Sequence, residues 1–249
     1  MKNILTVILL IFAHLSFSQA ISYRYITPVK GHGQEFRKAL GEKTKKYNSK
    51  EDEPRLYTFG IRASQNGSMM GVLRMTYGET LGELQGGSNQ PGMMDYWMKN
   101  VDIHIESSSS SEIFLRRESA TYNDAVGTEK PFRRVFHYNI KHGHQDKFWK
   151  VRDNLPAAIE KSGVDLDINS FISFAGGSRQ HASIVIFGES MNSFEPGSGD
   201  WGKLSDAYNE LYGNDSWEID WELSNSSLLD HGNSMELLEF LPELSSPIY

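Results

Sequence analysis

The chain has 249 residues, no cysteine and a formal net charge of −7, and aromatic side chains make up 12% of it. The lack of cysteine excludes disulfide bonds, so packing alone must hold the fold together. Net negative charge argues against nucleic acid and against an anionic membrane surface as partners.

The first residues have the pattern of an export signal. Lys2 precedes an apolar run from Ile4 to Ala13, and the small residues Ser18 and Ala20 follow it. This order of positive, apolar and small residues is typical of a signal peptide. The apolar run, about ten residues long, is too short to span a bilayer, and no later segment is suited to membrane insertion.

We therefore predict a signal peptide over residues 1–20 and a mature protein that is periplasmic or secreted. The chain has no cysteine to carry a lipid at the cleavage site. For this reason we expect the exported protein not to be a lipoprotein.

A short motif follows and then recurs 112 residues later. Gly31-His32 precedes Phe36 in the first copy, and Gly143-His144 precedes Phe148 in the second. Each copy comes after an extended aromatic segment and opens a run with helical spacing of apolar residues. The mature chain is therefore predicted to be one structural unit written twice.

The first copy predicts an ordered series of elements. An extended segment precedes a helix, and an Asn66-Gly67 turn, the preferred type for a tight hairpin, joins two strands. A second helix and a final strand follow. In chain order these elements are Tyr23–Thr27, the helix from Phe36 to Tyr47, the strands Leu56–Arg62 and Met69–Tyr77, the helix near Met93–Asn100 and the strand Glu112–Glu118.

The second copy predicts the same series. Its elements are Val135–Ile140, a helix from Phe148 to Ile159, the strands Ser170–Phe174 and Ala182–Gly188, the helix Trp201–Tyr212 and the strand Met235–Leu241. Pro156 should kink the first of these helices or mark a restart capped by Asn154, and Gly163 should stop it. The alternating stretch Trp217–Glu222 predicts an additional strand or edge segment.

Each copy thus has the order β-α-β-β-α-β of a ferredoxin-like unit. We place the first repeat at residues 21–120, a polar linker at 121–131 and the second repeat at 132–249. Strands such as Ser183–Phe187 are apolar on both faces, so both faces must be covered. Packing one repeat on the other would do this within a monomer.

This duplicated unit resembles the dimeric α+β barrel superfamily. The resemblance implies an α+β fold in which tandem ferredoxin-like repeats close an eight-stranded barrel with the helices outside. The family includes cofactor-free monooxygenases, isomerases, lactone-forming enzymes and haem enzymes related to chlorite dismutase. Fold alone does not choose among these activities.

Three functions remain open at this point. The barrel could bind a small apolar or aromatic ligand, act as an enzyme of the same superfamily, or be a structural or interaction protein with a filled lumen. We expect no cofactor, with haem as the one alternative that the resemblance leaves open.

Alternation along the strands selects the candidate site residues. Val135, His137 and Asn139 should face the barrel interior, and a shift of 112 positions puts Tyr23 and Tyr25 there as well. His137 is the catalytic candidate, as a base or a haem ligand, although it could also be a core histidine. The full set of ligand-binding candidates is Tyr23, Tyr25, His137, Asn139 and the mid-strand Arg74, which could instead face solvent.

The other histidines indicate structural roles. His32 and His144 lie where a helix opens and could accept amide hydrogen bonds as caps. His142 and His144 resemble a fragment of a metal site but lack a third ligand, so no metal is expected. The sequence also lacks the motifs of nucleophile elbows, phosphate loops and zinc helices.

Overall fold

A computed structural model describes residues 19–65, 67–84, 90–122, 130–178 and 180–248. The predicted signal peptide, apart from its last two residues, lies outside this part of the chain. So do Asn66 of the predicted hairpin turn and residues 123–129 of the predicted linker.

The described residues contain nine strands, which form one antiparallel sheet. In chain order they are β1 (Ala20–Pro28), β2 (Arg55–Ala63), β3 (Val72–Gly78), β4 (Ile105–Ser108), β5 (Glu112–Arg116), β6 (Phe132–Asn139), β7 (Ile168–Ala175), β8 (His181–Gly188) and β9 (Ser234–Phe240).

Five α-helices lie between these strands within the described ranges, and all but the last are in the order that the sequence predicts. They are α1 (Gly33–Tyr47), α2 (Met93–Tyr96), α3 (Gln145–Ser162), α4 (Trp201–Tyr212) and α5 (Ser216–Ser226). A π-helical turn over Trp97–Val101 extends the short α2. None of the helices in the described ranges has the length and apolarity needed to cross a membrane.

The strand order explains how the barrel closes. In the first repeat the order is β5-β1-β3-β2, and in the second it is β9-β6-β8-β7. The last strand of each repeat pairs with the second strand of the other: Phe240 is opposite Phe59, and Phe171 is opposite Arg116. Eight strands therefore close a barrel, and the predicted tandem ferredoxin-like architecture is confirmed. The ninth strand, β4, pairs with the end of β1.

Alternation divides the side chains between two layers, as the sequence predicts for β6. Val135 and His137 face the lumen, whereas Phe136 and Tyr138 pack with α3 outside the barrel. The repeated Gly-His motif is explained by backbone geometry, because Gly31 and Gly143 have φ of 89° and 77°. A residue with a side chain rarely adopts such values.

Three local predictions need correction. The stretch Trp217–Glu222 belongs to α5 and is not a strand, since Trp217 and Trp221 are four residues apart and pack on the same helical core. Helix α3 is continuous through Pro156, without a restart at Asn154, and ends before Gly163 as predicted. His32 and His144 occupy the N-cap positions of α1 and α3, but neither side chain makes a capping hydrogen bond.

Candidate functional site

The barrel lumen holds a cavity of about 80 Å³. Its wall is mainly apolar and is built from seven of the eight barrel strands. The apolar lining includes Ile21, Phe59, Leu73, Val135, Phe171 and Val185. The residues on the wall that carry polar groups are Gln19, Tyr23, Tyr77, Arg133, His137, Asn169, Ser183 and Glu236. The lumen is therefore not completely filled by side chains.

His137 and Glu236 bring ionisable groups into this apolar wall. His137 lies on β6 and Glu236 on β9, and the two strands are hydrogen-bonded neighbours in which Val135 is opposite Glu236. The two residues are 4% and 1% exposed. Charged groups at such depth are costly unless they are paired, so their contacts decide what they do.

Glu236 is anchored through one of its two oxygens. The hydroxyls of Tyr25 and Ser64 each donate a hydrogen bond of 2.6 Å to Oε1. Burial by itself raises the pKa of Glu236, but His137 and these two donors outweigh it and hold the pKa below its ordinary value. The carboxyl group is therefore ionised at neutral pH even though it is buried.

The other oxygen of Glu236 faces His137. Oε2 lies 3.4 Å from His137 Nε2, which is the distance of an ion-pair contact rather than of a good hydrogen bond. Both atoms are buried and neither makes a hydrogen bond within the described residues. Unmatched buried polar atoms are a small minority in folded proteins, and a catalytic role is one of the explanations for them.

Two further ionisable residues, His181 and Glu112, extend the contacts of His137 toward the protein surface. His137 Nδ1 is 3.2 Å from His181 Nε2, and His181 Nδ1 is 2.8 Å from Glu112 Oε1. The exposed fraction of the side chain rises from 0% for Glu236 and 5% for His137 to 14% for His181 and 17% for Glu112. We call these four residues the polar chain; it links the lumen wall to the edge of the barrel.

Tyr23 adds a hydrogen-bond donor near His137. Its ring is 6.4 Å from that of His137 and stacks on Phe114 at 5.2 Å. Burial and the nearby charges of Glu112 and Glu236 raise the pKa of Tyr23 far above its ordinary value. The phenol therefore stays protonated and remains a donor at neutral pH.

Arg133 places a cation at another part of the lumen. Its guanidinium lies 4.1 Å from the ring centre of Phe187 and 5.9 Å from that of Phe59. Burial lowers the pKa of Arg133 to about 9, so it still carries its charge at neutral pH. Along β6 it is four residues from His137, or roughly 13 Å at a rise of about 3.4 Å per residue. Its Nη1 donates to the Lys130 and Phe132 carbonyls, at the opposite end of β6 from His137.

The structure places the predicted site residues in different surroundings. Tyr23 and His137 line the cavity, and Tyr25 packs in the interior core, where it donates to Glu236. Asn139 does not line the cavity. It is at the end of β6, where its amide donates to the Gly232 carbonyl and its backbone N–H donates to Asn233 Oδ1. Its position therefore corrects the predicted lumenal role.

Arg74 also lies outside the lumen. Leu73 and Met75 on β3 face the cavity, so the residue between them points to the helix layer. There the Arg74 guanidinium donates to Thr58 Oγ1, Thr44 Oγ1 and the Leu244 carbonyl. Both sequence alternatives, lumenal and solvent-facing, were wrong for this arginine.

The lumen does not fit haem. Its volume of about 80 Å³ is well below the ~300–1,000 Å³ of ordinary cofactor pockets. Within the described ranges, no group of three or more metal-binding side chains is present.

Sequence reasoning found His137 but missed Glu112, His181 and Glu236. Glu236 could have been found because it alternates with Leu238 in an otherwise apolar strand, which places it inside. His181 and Glu112 meet only through the pairing of β5 with β7, a contact between the repeats. No local pattern in the sequence indicates that contact.

Comparison with known proteins bears on the fold. No protein-family model and no curated protein sequence matches the chain. A proposed monooxygenase from Fusobacterium nucleatum is similar in structure, with a TM-score of 0.59, 6% identity, and coverage of 91% of this chain and 94% of that one. A proposed monooxygenase from Lactobacillus acidophilus has a TM-score of 0.56, 8% identity and coverage of 92% and 96%.

A chlorite dismutase from Candidatus Nitrospira defluvii, in complex with imidazole, is also similar. Its TM-score is 0.52, its identity 9%, and the alignment covers 91% of this chain and 93% of that one. At such low sequence identities, structural similarity supports a shared fold but does not indicate a shared activity. With its closed eight-stranded barrel, the chain has the fold of a dimeric α+β barrel, with both ferredoxin-like repeats in one chain.

Proposed function

We propose that the lumen binds a small, neutral, largely apolar molecule and that His137 removes a proton from it. The observation that carries this proposal is that His137 Nε2 and Glu236 Oε2, two neighbouring polar atoms on the cavity wall, make no hydrogen bond within the described residues. A ligand that brings an acidic proton supplies what both atoms lack. A ligand with a negative charge would be repelled by the buried Glu236 carboxylate.

The size of the cavity limits the ligand. An apolar cavity of about 150 Å³ binds benzene, whereas this lumen measures about 80 Å³. The ligand is therefore smaller than benzene, unless side chains on the wall move. This narrows the apolar or aromatic class expected from the sequence to small apolar molecules.

Each polar residue has a role in the proposed reaction. His137 Nε2 takes the proton, and the electron pair stays on the ligand as an enolate-type anion. The ionised Glu236, 3.4 Å away, stabilises the imidazolium that forms. The protonated Tyr23, whose ring centre is 6.4 Å from that of His137, donates a hydrogen bond to the developing oxyanion. The reaction class is proton transfer next to a carbonyl or nitro group.

Deuterium exchange tests this function without a known substrate. Nitroethane is a neutral carbon acid smaller than benzene, and its exchange with D₂O is followed by proton NMR. We expect the wild type to accelerate exchange and the His137→Gln variant to lose that acceleration. His142→Gln, which changes an exposed histidine of the helix-opening loop, is the matched control and should behave as the wild type.

A second candidate function is binding without turnover, which the mainly apolar wall favours. Saturation-transfer NMR on the same samples separates the two. Nitroethane that binds in the lumen but exchanges no faster than in buffer would contradict the enzyme proposal and support the binding function.

We also propose that the protein works outside the cytoplasm, on the basis of the pattern in residues 1–20. Expression of the full chain with a C-terminal tag in a bacterial host provides the test. Mass spectrometry of the exported fraction should find a chain that begins after Ser18 or Ala20. Uncleaved protein retained in the cytoplasm would contradict this proposal.

A further inference from the structure

The polar chain contains three successive contacts between ionisable groups. From the barrel edge inward, these are Glu112 to His181 at 2.8 Å, His181 to His137 at 3.2 Å, and His137 to Glu236 at 3.4 Å. In every contact both facing atoms accept hydrogen bonds when they carry no proton. Each contact therefore needs one proton to be favourable.

Two neutral imidazoles supply only two protons for these three contacts. One contact must be without a proton, and the distances and missing hydrogen bonds indicate which one it is. The outer contact with Glu112 is the shortest, whereas the inner contact with Glu236 is the longest and contains two atoms without hydrogen bonds. The geometry thus assigns the protons to His181 Nδ1 and His137 Nδ1, and it leaves His137 Nε2 unprotonated.

We propose that His181 and Glu112 are positioning residues that hold His137 in the Nδ1–H tautomer and so keep its Nε2 free as the base. This inference rests on the proposed role of His137 in proton removal. Glu112 accepts from His181, and His181 in turn accepts from His137. Without that acceptor, the neutral His137 would carry its proton on Nε2 and would donate a hydrogen bond from there to the Glu236 carboxylate.

The same arrangement gives a captured proton a route outward. When Nε2 takes a proton from the ligand, each of the three contacts contains one proton. The polar chain then holds three protons, one more than its two neutral imidazoles carry. Transfer of protons along His137 and His181 then releases one at Glu112, the most exposed member. No electron transfer is involved, and the polar chain returns to its starting state when the imidazoles exchange tautomers.

Gly177 offers a way to test the role of Glu112. A Cβ atom at position 177 would overlap the carboxylate of Glu112, whereas its φ is compatible with alanine. The Gly177→Ala variant therefore displaces Glu112 from His181 without changing any titratable residue.

Nitrogen-15 NMR of histidine-labelled protein tests the inference, because the two neutral tautomers give distinct signals. The wild type should show His137 as the Nδ1–H tautomer. His181→Phe should shift the tautomer ratio of His137 toward Nε2–H by about tenfold, the loss of one buried hydrogen bond. Gly177→Ala should shift it in the same direction. His142→Phe, the same substitution at an exposed histidine, should change nothing.

A conservative variant separates positioning from folding. His181→Gln offers a carbonyl oxygen to His137 Nδ1 and should restore the Nδ1–H tautomer that His181→Phe loses. A wild-type His137 in the Nε2–H form, or a ratio unchanged in both His181→Phe and Gly177→Ala, would overturn the inference. The expected tautomers without any exchange of nitroethane would instead overturn the proposed function alone.

Discussion

Two buried polar regions of this barrel differ in how completely their groups are matched. Under α1, Arg74 directs its donors to three oxygens, those of Thr44, Thr58 and Leu244. In the lumen, His137 Nε2 and Glu236 Oε2 have no hydrogen bond within the described residues. Matched groups at this depth stabilise a fold, whereas an unmatched pair on a cavity wall can be completed by a ligand. We therefore assign structure to the first region and function to the second.

The Arg74 region should show the largest effect on stability. Arg74→Ala removes a buried side chain and leaves acceptors under α1 without a donor, so we expect the free energy of unfolding to fall by about 2–5 kcal/mol. Urea unfolding measures this change. Arg62→Ala, at an exposed strand arginine paired with Glu239, is the control and should cost less than about 1 kcal/mol. Equal losses in both variants would refute the structural role of Arg74.

Lys43 gives the same region a dependence on pH. Burial, with the charges of Arg74 and Arg24, lowers the pKa of Lys43 to about 7. Between that value and the ordinary 10.5, the unfolded chain binds a proton that the folded chain does not. Stability should therefore rise with pH above 7, by up to about 1.4 kcal/mol per pH unit. Lys43→Met should have a flatter profile in urea unfolding from pH 7 to pH 9; identical slopes would contradict the prediction.

The lumen should show the opposite combination, with a small effect on stability and a large one on function. His137→Gln removes the contact with His181 and puts an amide beside Glu236, and it should change the free energy of unfolding by only about 1 kcal/mol. Its nitroethane exchange should nevertheless fall to the rate in buffer. A loss of stability as large as that of Arg74→Ala would mean that His137 is a core histidine, and the comparison between the two regions would fail.

The smallest expected effect concerns how the free energy of unfolding falls at acid pH. The pKa of Glu236 lies below its ordinary value of 4.5, so its stabilisation is complete above 4.5 and is lost as the pH falls through the lowered pKa. Glu236→Gln should lose less stability than the wild type between pH 5 and pH 3. Thermal melts at both pH values give the comparison, and equal losses would show that the carboxylate is not stabilised by its neighbours.

How far the sequence predicted this molecule depends on the range of the interactions. Helices, strands and the duplication follow from local spacing and from the repeated Gly-His motif. The inward position of His137 followed from alternation along β6, while the same reasoning failed for Asn139, because the strand ends there. Arg74 was misplaced because a lone mid-strand arginine does not show which face of the sheet is the lumen.

The partners of His137 were beyond sequence reasoning for a related reason. Glu112 belongs to the first repeat, whereas His181 and Glu236 come from different strands of the second. Only the closure of the barrel brings these side chains together. The period-two pattern of Trp217–Glu222 was misleading in a different way, since the same residues also satisfy the four-residue spacing of a helix.

The central claim, that the lumenal His137 takes a proton from a small neutral ligand, is tested most directly by titrating the histidine-labelled protein with nitroethane. We predict that the nitrogen-15 signals of His137 move toward those of an imidazolium as nitroethane is added, and that those of the exposed His32 and His142 stay unchanged. Unchanged His137 signals at nitroethane concentrations that saturate the lumen would contradict the claim.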